Sequence, residues 1–229
     1  MKFIVFGLGS FGASLGTKLV ALGHEVIGID KSVEVAERWK DSITHTIALD
    51  ASSRDAMETL PVKEVDCAVV AIGETPGISI MIAALAKQLG APRIICRVVD
   101  DTQQTVLESM GIDEFTYPES DSAERLAYRL DLKGVVESYK ISDEYHLLEV
   151  AVPDRYVGTR VSEINFVGEH HVQLLTVIRP EKQRNLLGTV HTVRKAQGII
   201  SSDIELAKED TLLLFGEVKR LEEFIGQYE

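Results

Sequence analysis

Cysteine is scarce. Only Cys67 and Cys96 occur in 229 residues, and both lie inside apolar segments. The disulfide framework of a small secreted domain is therefore excluded, and reduced, buried thiols in a cytoplasmic protein are expected. Basic residues are also short: 24 Lys and Arg face 36 Asp and Glu, a net charge of −12. A chain this acidic is repelled by phosphate backbones, so nucleic acid is not expected as its partner. No apolar run approaches the ~18 residues of a membrane span. The longest, residues 67–73, has the length of a buried strand. The first residues lack a basic stretch followed by an apolar block, so no secretory leader is expected. Low-complexity segments and internal repeats are missing too. There is no G-x-S-x-G, no Walker lysine, and no His or Cys at metal-ligand spacing. His170 and His171 are adjacent, but successive residues point in different directions, which suits a surface loop better than a metal site.

What is present reads as a folded protein of one large domain or two small ones, 45% apolar and 26% charged. The first half alternates strand and helix patterns. Strands are expected at 2–6, 25–29, 44–49, 66–72, 93–98 and 113–117, with helices at 11–22, 33–40, 53–60, 76–89 and 101–110. Ser32 is placed to cap the second helix. Six strands joined by crossover helices imply an α/β fold with a Rossmann-like, doubly wound parallel sheet. After Pro118 the rhythm changes. Residues 119–130 are helical by the spacing of Ala123, Leu126, Ala127 and Leu130. Residues 132–144, polar and mixed, read as a connecting helix or hinge. Strands at 145–152, 172–179 and 211–215, a short helix at 161–165 and a last helix at 217–225 make a small α+β C-terminal domain. The expected division is thus 1–131, 132–144 and 145–229.

Gly7-Leu8-Gly9-Ser10-Phe11-Gly12 is a G-x-G-x-x-G directly after the first strand and at the opening of the first helix. Gly7 permits the tight turn, Gly9 lets a pyrophosphate approach the backbone, and Gly12 lets the helix pack close to the sheet. The helix start, with unpaired amides and the positive end of its dipole, receives phosphate. Asp30, 23 residues after Gly7 and at the end of the second strand, can accept from both hydroxyls of an adenosine ribose. It disfavours NADP relative to NAD or an adenine nucleotide. Lys31 follows it. Asp50 ends the third strand, followed by Ala51, and Ala71-Ile72-Gly73 ends the fourth, followed by Glu74, where such sheets bind their ligand. Asp50 either borders the adenine or caps the helix that Ser52 or Ser53 starts. Arg97 either reaches a phosphate or pairs with Asp100 or Asp101. The fingerprint equally suits a small NAD-dependent oxidoreductase, but no acid–base pair accompanies it, and the last 85 residues are short for a substrate domain.

Several segments in order, FIVFGLGSFGASLG, GID at Asp30, AVVAIGE, TYPESDSAERLA, ISDEYHLLEVAVP and AKEDTLLLFGEVKRLEEF, resemble the regulator of K⁺ conductance (RCK) family. The similarity is to the cytoplasmic nucleotide-binding subunits of Trk/Ktr-type potassium uptake systems. The resemblance implies a non-enzymatic gating subunit at the inner face of the membrane, partnered with an integral-membrane potassium transporter, or with another channel or antiporter. It implies homodimers with an exchanged connecting helix, closing into a higher ring, an octamer. Its regulatory ligand is NAD(H), ATP, ADP or AMP. Carried onto this sequence, Gly7, Gly9 and Gly12 cradle phosphates and Asp30 holds the ribose. Asp50, Ala51, Ile72 and Gly73 line the base side, and Arg97 serves the phosphates. Glu119 matches a position where some relatives place a carboxylate near a nucleotide and a divalent cation. Several Ktr-type members carry Arg where this chain has Ser10, which moves the expectation from ATP toward NAD(H), ADP or AMP. The stretch matching the cyclic-dinucleotide segment of some relatives, residues 165–171, has no Arg.

Overall fold

An apolar run ending at a glycine, Lys2–Phe6, forms the first strand, β1. In this computed structural model, which describes residues 1–184, 190–201 and 203–226, it lies centrally in a six-stranded parallel sheet. The other strands are β2 (Glu25–Asp30), β3 (His45–Ala48), β4 (Cys67–Val70), β5 (Ile94–Arg97) and β6 (Glu114–Thr116). Their order is β3-β2-β1-β4-β5-β6, the order of a dinucleotide-binding sheet. All four residues of β4 are buried, as a strand covered on both faces requires. The crossover helices are α1 (Ser10–Ala21), α2 (Val33–Trp39), α3 (Arg54–Met57), α4 (Pro76–Gln88) and α5 (Asp101–Ser109). Ser32 caps α2, its hydroxyl accepting from the Val35 amide at 3.3 Å. Asp100 caps α5, accepting from the Gln103 amide at 2.8 Å. One side of the sheet packs around Ile4, Phe6, Ile29, Val70 and Ile82; the other packs around Val5, Leu8, Val26 and Val69.

The chain separates into two units, Met1–Ser120 and Asp121–Glu229, so the division falls in the first turn of helix α6 (Pro118–Asp131). The expected boundary at 131 is thus displaced, because the remainder of α6 belongs to the second unit. The Tyr128 ring meets the His146 ring edge-on at 4.8 Å, and Glu124 and Arg129 approach Lys140 and Glu137.

The second unit carries a five-stranded antiparallel sheet, β10-β9-β11-β8-β7. Its strands are β7 (Val135–Lys140), β8 (Tyr145–Ala151), β9 (Val172–Arg184), β10 (Val190–Ala196) and β11 (Thr211–Glu217). Helix α7 (Val218–Gly226) buries Leu221, Phe224 and Ile225 against Leu148, Val150, Leu212 and Leu214. Two readings of the sequence are corrected here. Residues 132–144 hold no helix; they hold the edge strand β7, which turns Val135 and Ser138 inward and pairs with β8. β10, absent from the expectation, is an edge strand with only Val193 half-buried, so it has no apolar alternation to read. Residues 161–165 form a single 3₁₀ turn, Val161–Glu163. Among the described residues no helix is long and apolar enough to cross a membrane.

Candidate functional site

The carboxyl ends of β1 and β4 diverge at the point where strand order reverses, and the glycine turn lies there. Its three glycines have three different reasons to be glycine. Gly7 has φ +93°, a left-handed conformation, and its amide donates to the Ile29 carbonyl at 2.7 Å. Gly12 is locked by space, since a Cβ there would stand 1.9 Å from the Gly7 carbonyl oxygen. Gly9 is constrained by neither. Its φ is −66°, and an added Cβ would meet nothing within 4 Å. It is the N-cap of α1, where Ser, Asp or Asn would satisfy an amide, and glycine has no side chain to do so. The fold leaves open the space in front of the uncapped amides, as a phosphate would need it.

Asp30 closes the other side. Its carboxylate accepts from the Leu8 amide at 2.9 Å through Oδ2 and from the Ser32 amide at 2.9 Å through Oδ1. The first bond ties the glycine turn to the end of β2. Each oxygen keeps a further lone pair, which a ribose diol can use. Ser10 is exposed at the helix start. Leu8 is 2% exposed and packs onto Gly28, so only its backbone faces the turn. Phe11 likewise contributes backbone only. Its ring lines a mainly apolar groove of about 620 Å³ with Phe3, Leu15, Leu19, Ile95 and Phe115, which Arg93, Asp113 and Glu114 also line.

Asp50 makes a local turn. Its Oδ1 accepts from the Ser52 amide at 3.0 Å and the Ser52 hydroxyl at 2.6 Å. The Ser52 hydroxyl, then its amide, hold the Asp50 carboxyl below its ordinary range, with Lys31 adding in the same direction. The N-cap of α3 is Ser53, so Asp50 sits ahead of the helix rather than on it. Ala51 is buried in the core, Ile72 and Gly73 are half-buried, and Lys31 and Glu74 are exposed.

Arg97 has a different partner from either Asp100 or Asp101. Its Nη2 donates to Glu119 Oε1 at 2.5 Å and its Nη1 to the Ala71 carbonyl at 3.3 Å. The guanidinium lies across Gly73, where an added Cβ would stand 2.4 Å from Cζ. Asp100 is engaged in capping α5 instead. Glu119, expected as a cation ligand, thus faces a fixed cation, and among the described residues no three His, Cys, Asp or Glu side chains gather to hold a metal ion. Sequence reasoning missed this pair because its members are 22 residues apart. Only the β5–β6 pairing, Arg97 beside Thr116, brings them together. Cys67 and Cys96 are fully buried, and burial pushes the Cys96 thiol up to about 12. Neither is a reactive thiolate.

Strand order, glycine turn and terminal Asp define a Rossmann-type unit. Residues 3–118 match the family model of the TrkA-N domain, and the chain belongs to that family. It is similar to two proteins of Bacillus subtilis (strain 168). It is 26% identical to the Ktr system potassium uptake protein C over 178 residues, which cover 78% of this chain and 80% of that protein. With the Ktr system potassium uptake protein A the figures are 27% over 176 residues, 77% and 79%. Among solved structures, the GsuK channel bound to NAD superposes with a TM-score of 0.65 over 98% of this chain at 14% identity. This chain spans 39% of that longer one.

Proposed function

We propose that this chain is a cytoplasmic, non-enzymatic regulatory subunit of a potassium uptake system of the Ktr type, taking NAD(H), ADP or AMP as a signal at the first unit. The Ktr relatives, matched over most of both chains, support the transport role. The observation that carries the ligand is Gly9, a glycine that neither backbone angle nor space demands, in front of an uncapped helix and facing the Asp30 carboxylate. Phosphates would take the α1 amides and the adenosine ribose would take Asp30. The carboxylate would repel a 2′-phosphate, which favours NAD over NADP. Arg97 would meet the phosphates only by leaving Glu119.

A ligand shifts a two-state assembly only by its difference in affinity for the two states; a tenfold preference per site is about 1.4 kcal/mol, and identical sites add. Assembly as homodimers within a ring is part of the reading. It is supported by the apolar groove beside Phe11 and by α6, which buries no residue while Leu126 and Leu130 are 50% and 78% exposed.

The test is calorimetry of the full chain with NAD, NADH, ADP, AMP and ATP, and native mass spectrometry of the same samples. Wild type should bind at least one of them. Gly9→Val, whose side chain projects into the phosphate space, and Asp30→Ala should each lose at least about tenfold in affinity, or 1.4 kcal/mol. Gly9→Val should stay folded, losing no more than the preference for Gly over Val at an N-cap, about 1 kcal/mol. No binding of any of the five, or full affinity in Gly9→Val, would overturn the assignment. Turnover of NAD with any hydroxyacid or aldehyde would overturn the non-enzymatic part.

A further inference from the structure

Charge in the second unit is concentrated in one place. β9 pairs with β11 only as far as Ile178 opposite Thr211. Beyond that, Arg179 to Arg184 pair with β10 alone, a two-stranded ribbon reaching about 20 Å past the sheet at ~3.3 Å per residue. The 17 residues 179–195 hold five of the chain's 24 basic residues and one of its 36 acidic ones, leaving 19 against 35 elsewhere. Within the second unit, residues 121–229, a ribbon at +4 projects from a remainder of nine basic and 18 acidic residues, at −9. Arg179, Arg194 and Lys195 are held by Asp210, Glu149 and Glu181. Lys182 and Arg184, two residues apart and therefore on one face, are exposed and have no acidic partner among the described residues. Opposite them stand Thr192 and Val190, the latter 49% exposed. A bare two-stranded ribbon has no core of its own and is marginal in water unless something covers it.

We propose that this ribbon docks on the anionic phospholipid headgroups of the cytoplasmic leaflet, through Lys182 and Arg184. The proposal rests on the transporter-subunit reading, which sets the chain beneath a membrane. Two physical arguments select lipid over an acidic protein surface. Cytoplasmic loops of membrane proteins carry excess Lys and Arg, so a transporter's inner face matches the acidic body and repels the ribbon, whereas the surrounding leaflet is anionic. Charges are screened beyond about 8 Å at physiological salt. The ribbon therefore presents its cations to a flat surface while the negative charge on the rest of the second unit, more than a screening length away, is damped.

The experiment is cosedimentation of the full chain with vesicles of phosphatidylcholine alone, or mixed about two to one with phosphatidylglycerol, at graded salt. Wild type should associate with the anionic vesicles, more strongly as salt falls, and not with phosphatidylcholine. Lys182→Gln with Arg184→Gln should weaken association about 25-fold, since each basic residue near an anionic surface counts for roughly fivefold. The Glu/Glu double variant should weaken it further. Both variants should bind nucleotide as wild type does. Asp30→Ala should bind vesicles as wild type does, so failure of the ligand assignment and failure of this one are separable. Equal association with both vesicles, or anionic association unchanged in the double variants, would overturn the proposal. So would a wild type that ignores vesicles but loses a detergent-solubilised transporter on Lys182→Glu with Arg184→Glu, which would assign the ribbon to a protein partner.

Discussion

The two units bury different kinds of atoms. In the first, the buried polar residues are Ser79 and Gln103, both neutral, and the Gln103 side chain satisfies itself on the Ser79 hydroxyl and the Arg97 carbonyl at 3.2 Å each. In the second, His146, Glu149 and Asp210 are buried beside Ser138. A parallel sheet covered by helices keeps water out of its core, so an ionisable group buried within it finds few partners. The antiparallel sheet of the second unit is open enough that long arginines can reach a buried carboxylate from outside. Arg194 of β10 spans to Glu149 on β8 and donates to the Thr211 hydroxyl at 3.1 Å, and Arg179 grips Asp210 through two nitrogens, at 2.8 and 2.6 Å. The first unit is thus held by shape and the second partly by charge, so the two should fail in different ways.

The largest expected effect tests the claim about shape. Gly12→Val would press a side chain into the Gly7 carbonyl, which is backbone and cannot swing away. Overpacking of this kind typically costs 1–3 kcal/mol, and here the upper end, about 3 kcal/mol, is expected. The chain's single tryptophan, Trp39, lies in the first unit, so its fluorescence in urea reads that unit directly. A midpoint unchanged from wild type would show that the turn yields, and the contrast between Gly12 and Gly9 would collapse. A smaller loss tests the claim about charge. Arg179→Met strips the partner from Asp210, whose side chain is fully buried. Removing one member of a buried pair costs 3–5 kcal/mol, but Arg179 is 38% exposed, so about 2 kcal/mol is expected. Hydrogen exchange of the β11 amides should accelerate accordingly while the Trp39 transition stays in place.

How much of this was legible beforehand follows the same division. Every strand and helix of the first unit is signalled by apolar runs and by stop residues such as Gly7, Gly23 and Pro61, because a doubly covered sheet writes its burial into consecutive residues. The glycine turn after β1 and the Asp at the end of β2 were legible too, since glycine spacing and a distant Asp are local patterns. The turn's internal logic was not: φ and Cβ clearance separate Gly9 from Gly7 and Gly12, and neither is visible in a string of letters. The Arg97–Glu119 contact was equally hidden, because it depends on strand order. In the second unit, β7 and β10 were missed for a physical reason. Edge strands bury one face at most, and β10 buries almost none, so their hydrophobic period is lost among Lys, Arg and Glu. The adjacent His170 and His171 are again a lesson in direction. The His170 ring bonds the Tyr156 hydroxyl at 2.7 Å and packs on Phe224, whereas His171 is exposed with φ 55°.

The smallest effect is the sharpest discriminator of the two units, because it uses acid alone. His146 on β8 is 2% exposed, and its Nδ1 has no hydrogen-bond partner among the described residues. The groups facing it are Tyr128 and Glu124 of α6, Lys140 of β7 and Glu222 of α7. Burial is the largest influence and pushes the imidazole below its ordinary 6.5, against the pull of the two glutamates. The folded chain therefore resists a proton that the unfolded chain accepts. Well above pH 6.5 neither state is protonated and nothing is lost. As pH falls below 6.5 the unfolded state gains the proton first, and stability declines by at most about 1.4 kcal/mol per pH unit. Asp210 moves in a separate, more acidic window, because its loss begins only as the unfolded carboxyl takes a proton around its ordinary 3.8 while the folded one, held lower, resists it. Between pH 6.5 and 5, β8 amide protection should fall, while the Trp39 transition, governed by a core whose Cys96 thiol titrates only near 12, stays level. His146→Phe keeps the ring beside Tyr128 and removes the proton acceptor, so its β8 protection should not change with pH. The same acid slope in that variant would mean the pH sensitivity lies elsewhere, and buried charge would no longer distinguish the second unit from the first.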